Sequence, residues 1–243
     1  MRILILGGTE EASQLAIKAS AISGIEVITS LAGRTIEPKK IATRSRIGGF
    51  GGACGLVKYL QDNKIDRLID ATHPFATQIS HNAAIAAKVC HLPHLILTRR
   101  PWQPTKSDRW IEVSDLKAAA DILPTVAQRV FLTIGRQELA TFTHLKDLWF
   151  LMRMIDHPQI DAAIPNGKVI LQKGPFSLVE EEQLLIKYQI EAIVSKNSGG
   201  EATYAKILAA RALNLPVIMV QRPLLATGKS VSDVESALNW ISH

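Results

Sequence analysis

Cysteine is scarce. Cys54 and Cys90 are the only two in 243 residues, which excludes a disulfide framework, and neither stands at metal-ligand spacing. Both read as free thiols of a reducing compartment, and no protein metal site is expected. Also lacking is any run that approaches the ~18 apolar residues of a membrane helix. No charged leader with an apolar stretch precedes the first strand-like segment, so no secretory signal is expected and the cytoplasm is the expected location. Aromatic residues make up 5% and nowhere interleave with a basic stripe, as nucleic-acid modules require. Neither a nucleic-acid nor a membrane partner is expected, and the chain is expected to be a monomer or a weak homo-oligomer.

What is present is apolar and cationic. The hydrophobic content of 47% suffices for a packed core, and 28 Lys and Arg against 22 Asp and Glu leave a net charge of +6. Scattered cations of this kind favour anionic ligands such as a phosphate-bearing cofactor or a polycarboxylate. Strand-like and helix-like segments alternate. Ile3 to Leu6, Ile25 to Thr29, Arg67 to Ala71 and Leu95 to Thr98 read as strands. Ala12, Leu15, Ala16 and Ala19 follow the first at helical spacing. RRPWQPTKSDRW (99–112 with its flank) breaks the rhythm as a connector. Beyond it, strands are expected at Val130 to Ile134, Trp149 to Met152, Val169 to Leu171, Ala192 to Ser195 and Val217 to Val220. Ser177 with Glu180, and Ser232 with Glu235, have the spacing of capping boxes. The expected fold is α/β: two Rossmann-like domains, 1–98 and 113–243, with mainly parallel sheets and an interdomain cleft.

The chemistry-bearing segments fall at expected strand ends. LILGGTEEA places Gly7 and Gly8 after an apolar run but has Thr9 where the G-x-G-x-x-[GA] fingerprint has its second glycine. The threonine hydroxyl could bond a phosphate oxygen, or the loop could be a structural turn. Glu10 and Glu11 read as first-turn partners of the helix dipole. After the second strand comes TSLAGRT, with Ser30, Arg34 and Thr35 and no acid. An NAD site usually carries an Asp or Glu there for the ribose hydroxyls, so donors and a cation point to the 2′-phosphate of NADP. GGFGG (48–52), with Gly49 and Gly51, allows close backbone approach to a ligand. DATHPFA (70–76) offers Asp70, Thr72, His73 and Pro74. In the second half, SKNSGGEATYAK gathers Lys196, Asn197, Ser198 and Gly199 before a helix, with Tyr204 and Lys206 following. The Tyr-x-x-x-Lys spacing of short-chain dehydrogenases is absent, which rejects that mechanism.

The ordered set LGGTEEA, AGRT, GGFGG, DATHPFA, RRPW, TIGRQEL, KGPF, SKNSGGEATYAK and LPVIMVQRP, from residue 4 to 223, resembles the precorrin-6A reductase family of cobalamin biosynthesis. That resemblance implies NADPH-dependent reduction of one carbon–carbon double bond in a corrinoid precursor, precorrin-6A or its cobalt form, to the 6B form. Any cobalt would belong to the tetrapyrrole substrate. It further implies that Arg99, Arg100, Arg136, Lys173 and Arg222 meet the substrate carboxylates by charge-assisted hydrogen bonds. His73, Lys196 and Tyr204 are candidate proton donors, with water as the alternative. Gly7, Gly8 and Thr9 would lie near the phosphates or adenosine, and Ser30 and Arg34 at the 2′-phosphate. Thr72 and His73 would line the inner face of NADPH, and Lys196 to Gly199 would close on it. Three rivals are a reductase of another polyanion, a non-catalytic NADPH sensor, and an S-adenosylmethionine-dependent methyltransferase.

Overall fold

The structure, a computed structural model, describes residues 1–32, 43–158, 161–224 and 228–243. Its strands are β1 (Arg2–Leu6), β2 (Glu26–Leu31), β3 (Arg44–Ile47), β4 (Arg67–Asp70), β5 (His94–Leu97) and β6 (Arg109–Val113). They continue with β7 (Arg129–Thr133), β8 (Trp149–Met154), β9 (Gly167–Leu171), β10 (Ala192–Lys196), β11 (Pro216–Val220) and β12 (Lys229–Val231). The helices are α1 (Glu10–Ser20), α2 (Gly52–Asp62), α3 (Thr77–Val89), α4 (Leu116–Ile122), α5 (Leu178–Lys187), α6 (Ala205–Ala212) and α7 (Val234–Ser242). A 3₁₀ segment covers Arg136–Phe142.

Two compact units divide the chain: Met1–Arg100 with Pro223–His243, and Pro101–Arg222. Each holds a six-stranded sheet, and every pairing is parallel. The two-sided apolar strands require cover on both faces. In the first unit, Ile3, Ile5, Val27, Ile69 and Leu95 pack with Leu15 of α1 and Ala237 and Ile241 of α7. The alternate residues Leu4, Leu6, Ile28 and Leu68 pack with Leu56 and Leu60 of α2 and Ala83, Ala86 and Ala87 of α3. In the second unit, Phe131, Leu151, Ile193 and Val217 pack with Leu185 of α5 and Ile207 of α6. Burying each such aliphatic side chain is worth about 1.5–3 kcal/mol.

The first sheet runs β12-β5-β4-β1-β2-β3. Counted along the sheet, that is the doubly wound order 3-2-1-4-5-6, which reverses between β1 and β4 and places ligands outside the carboxyl ends of the strands. Parallel register sets Leu6 opposite Ser30 on one side and Asp70 on the other. Three chain ends therefore deliver their loops side by side. The second sheet runs β6-β11-β10-β7-β8-β9, with its reversal between β7 and β10.

The division differs from the expected 1–98, 99–112 and 113–243. Residues 223–243 return to the first unit, where Val231 pairs with Leu97 and α7 packs on α1. The expected connector contains most of β6, which pairs along β11 from Arg109 to Val113. One capping box also moves. Ser177 and Glu180 do form theirs at α5, but α7 is capped by Asp233, whose Oδ1 accepts the Ser236 N–H at 2.8 Å. Asp233 lies one residue closer to the helix, and its carboxylate is the stronger acceptor for the free N–H groups.

Candidate functional site

A pocket of about 160 Å³ lies at the carboxyl ends of β1 to β4, lined by Leu6, Gly7, Ser30, Ala32, Gly48 to Gly52, Leu56, Thr72, Ile79 and Asn82. Gly7, Ser30, Gly49, Gly51 and Thr72, all named from the sequence, meet there. The Gly7 N–H extends the strand ladder by donating to the Ser30 carbonyl at 2.8 Å. Gly51 and Gly52 both have positive φ, 78° and 89°, a turn that side chains resist. A Cβ at Gly48, Gly49, Gly51 or Gly52 would meet no protein atom within 4 Å. The space over these glycines is open.

The two helix N-termini beside this pocket differ. Thr9 caps α1, its Oγ1 accepting the Ala12 N–H at 3.1 Å and donating to the Ala71 carbonyl at 2.8 Å. Its single hydroxyl hydrogen is thus used within the protein, and Thr9 is a cap that ties the β1 loop to the end of β4. The expected donation to a phosphate is not what this geometry provides. By contrast, α2 starts at Gly51 with no side-chain cap, which leaves its first N–H groups for water or an anion.

Arg34 lies outside the described residues. The cation next to Ser30 is Arg46, on β3, which the sequence reading did not single out. Its Nη1 donates to Ser30 Oγ and the Gly48 carbonyl, both at 2.9 Å, and its Nη2 to the Gly49 carbonyl at 3.1 Å. The guanidinium lies 3.8 Å from the Phe50 ring centroid. A signal was present: RSRIGGF alternates cation and small or apolar residues directly before the glycines.

Asp70 is buried. Its Oδ1 accepts from the Thr72 N–H at 3.0 Å and the Thr72 hydroxyl at 2.6 Å, while Oδ2 has no partner. Thr72 therefore offers a ligand only its oxygen as acceptor, and Asp70 Oδ2 suits a hydroxyl or amide donor. On β5, burial pushes the His94 imidazole below its usual 6.5, the Asp70 charge opposing. The ring of His73 accepts the Phe75 N–H at Nδ1, 3.3 Å, and Pro74 is buried beside it. Glu11 finds its role here, because its carboxylate pairs with Arg99 at 3.0 Å.

The second unit uses its strand-end polar groups mostly on itself. Both amide groups of Asn197 bind the backbone of Trp102, Oδ1 accepting its N–H at 2.8 Å and Nδ2 donating to its carbonyl at 3.1 Å. Arg222 donates through Nε to the Asn197 carbonyl at 2.7 Å and through Nη2 to the Ser198 carbonyl at 2.8 Å. Ser198 and Gly199 are buried. In this arrangement Asn197 and Arg222 shape the loop, which differs from the ligand contacts expected of them. Lys196 Nζ pairs with Glu138. Tyr204 Oη accepts from Arg211, which also grips Asp108. Burial works to raise the Asp108 pKa, but the Arg211 and Thr105 hydrogen bonds and the Arg211 charge prevail and hold it below 3.8. Arg136 Nη1 donates to the His157 carbonyl at 3.3 Å, and Arg100 and Lys173 are exposed. Among the described residues, no three potential metal ligands converge, and no helix is long and apolar enough to cross a membrane.

Doubly wound order, a glycine-lined pocket at the strand ends and an uncapped helix beside it define an α/β protein with an open strand-end pocket in its first unit. The chain belongs to the precorrin-6x reductase CbiJ/CobK family, whose model matches residues 2–242. It is 45% identical over 241 residues to a precorrin-6A reductase of Rhodococcus erythropolis, covering 99% of this chain and 97% of that one. With a cobalt-precorrin-6A reductase of Priestia megaterium it shares 28% identity over 251 residues, 98% and 96% of the two chains. A solved precorrin-6A reductase, CobK, superposes with a TM-score of 0.93 at 40% identity, covering 99% and 96%. Membership makes the chain an oxidoreductase of corrinoid-precursor synthesis.

Proposed function

We propose that the protein uses NADPH to reduce one carbon–carbon double bond of precorrin-6A. The observation that carries the reading is the pocket over β1, β2 and β3, one mononucleotide half of the sheet. At its β2 end the described residues present Ser30 and Arg46, and no carboxylate among them. An acid there would serve the ribose hydroxyls of NAD and repel a 2′-phosphate. The glycine cradle and the uncapped start of α2 fit a phosphate-bearing cofactor, held by Gly7, Ser30, Gly49 and Gly51, with Thr72 facing its polar groups and Asp70 holding Thr72 from behind. When bound, NADPH supplies the hydride.

The residues of the chain align the reactants and supply the proton for the neighbouring carbon. Tyr204 keeps its own hydroxyl hydrogen, since its oxygen accepts from Arg211. Lys196, paired with Glu138, carries protons beside the β10 end. A neutral His73 that accepts at Nδ1 bears its hydrogen on Nε2. Any of the three, or water, can complete the reduction. Arg100, Arg136 and Lys173 meet the substrate carboxylates, while Arg99 and Arg222 add positive charge from positions fixed by protein partners.

The metal-free macrocycle is favoured over its cobalt complex by the greater likeness to precorrin-6A reductases, 45% against 28% identity. The deciding assay follows NADPH and NADH oxidation with each macrocycle. Turnover of precorrin-6A with NADPH is expected. Oxidation with neither macrocycle would refute the reading, and faster turnover of the cobalt form would reverse the substrate assignment.

A further inference from the structure

We infer that Arg46 is the residue that distinguishes NADPH from NADH, by binding the 2′-phosphate of the adenosine ribose. The inference rests on the cofactor reading above and adds the specificity-determining contact.

Charge balance narrows the choice: Arg46, like Arg67, Arg109 and Arg129, has no carboxylate partner among the described residues, and of these it is Arg46 that bonds to residues lining the strand-end pocket. Arg2 and Arg44 pair with Glu26, Arg99 with Glu11, Arg153 with Glu181 and Arg211 with Asp108. Arg46 has only neutral partners among the described residues: one hydroxyl, two backbone carbonyls and the rings of Phe50 and Tyr59. Its positive charge is left uncompensated beside a pocket.

Donor counting gives the same result. A guanidinium carries five N–H bonds. Three are used, two from Nη1 and one from Nη2. The Nε–H and the second Nη2–H have no partner among the described residues. Two donors and a full charge suit a phosphate dianion, for which Arg is better shaped than Lys.

Position supplies the third argument. The Arg46 bond to Ser30 Oγ fixes the guanidinium at the carboxyl end of β2, where the ribose of a dinucleotide lies in this sheet order. Its bonds to the Gly48 and Gly49 carbonyls, and its stacking on Phe50, hold it against the pocket wall. Little rotamer freedom remains to be lost when the anion arrives.

The test measures binding of 2′,5′-ADP and 5′-ADP, two ligands that differ by the phosphate in question, to the wild type, Arg46→Gln and Arg46→Lys. The wild type is expected to prefer 2′,5′-ADP. Arg46→Gln retains an amide for the Gly48 or Ser30 contact; it should weaken 2′,5′-ADP about 10- to 100-fold and change 5′-ADP less than about twofold. Arg46→Lys, which keeps the charge and loses the planar fork, should fall between with the salt dependence of the wild type, whereas Arg46→Gln should show a shallower one. The ratio of KM for NADPH to that for NADH should shift in parallel. Equal weakening of both nucleotides would show that Arg46 only supports the glycine loop, and no change in either would place the 2′-phosphate elsewhere; each overturns the inference while sparing the cofactor reading. A wild type with no preference for 2′,5′-ADP would sink the NADPH reading together with it.

Discussion

The two sheets correspond place for place. Strands β7, β8, β9, β10 and β11 stand in the second where β1, β2, β3, β4 and β5 stand in the first, and the sixth place is filled by β6 and β12 respectively. The difference is where the sixth strand comes from. In the second unit it precedes the other five in the chain, and in the first it follows all of them. The helix after it keeps its station in both, α7 against α1 and α4 against the 3₁₀ segment 136–142. Shared architecture has not meant shared chemistry at the strand ends. The first unit keeps glycines, an uncapped helix and an Arg46 with no carboxylate partner among the described residues around a pocket. The second ties Asn197, Arg222, Lys196 and Glu138 to one another and to its own backbone. Function has been placed on the scaffold by loops, while the layers stayed the same.

The comparison can be broken most severely by truncation. Ending the chain before Gly228 removes β12 and the buried Val234, Ala237 and Ile241. The loss should approach the ~5–15 kcal/mol that holds a domain together. Hydrogen exchange should show the first sheet unprotected while β7 and β10 keep their protection; equal protection in both sheets would refute the assignment of β12 and α7. Next in size is the ion pair of the second unit. Arg153 binds Glu181 at 2.5 and 3.2 Å between the rings of Phe131 and Phe176. Glu181→Ala should cost about 3–5 kcal/mol in urea denaturation, because a buried charge is left alone. Replacing both partners with Met and Leu should recover most of that.

Smaller changes sharpen the contrast between the loops. Asn197→Ala removes two bonds to Trp102 and should destabilise by about 1–3 kcal/mol, with nucleotide binding changed little. A strong loss of nucleotide affinity at unchanged stability would return Asn197 to the ligand. Thr9→Ala should cost about 1 kcal/mol as a lost cap, and Thr9→Ser should restore it. The least effect is in acid. The folded pKa of His94 is lowered, so the first unit keeps this contribution above 6.5 and loses stability as pH falls below that value, until the folded pKa is reached. Asp108 is also lowered, from 3.8, so its contribution to the second unit is full above that and fades only as pH falls through the folded pKa. Fluorescence of Trp240 should therefore respond to acid at higher pH than that of Trp102, and His94→Leu should abolish the difference.

Much of this architecture could be read from apolar runs, because central parallel strands such as Ile3 to Leu6 and Val217 to Val220 are buried on both faces. The strands that went unread are edges: RSRI at β3, RWIEV at β6 and KSV at β12. Charge on an edge strand is a common guard against further pairing, and in these three it hides the pattern, whereas the edge strand β9 was legible from its apolar Val169 to Leu171. The missed β12 is also why the division of the chain was misplaced, since three residues decide to which sheet the C-terminal helix returns. At the site, strand-end loops could be located but the commitments of their side chains could not. Thr9 and Asn197 look like ligand contacts until the Ala71 carbonyl and the Trp102 backbone, distant in sequence, take up their hydrogen bonds. Arg46 escaped notice for the opposite reason, being part of an edge strand that looked like none.

The place of β12 also sets a timetable. During synthesis the chain emerges from its N-terminus at about 5–20 residues per second. Strands β1 to β5 emerge first, yet their sheet lacks its edge and one covering helix until β12 and α7 appear. Pro101–Arg222 is continuous and has all six of its strands sooner. The half of the molecule that is made first is therefore the half completed last.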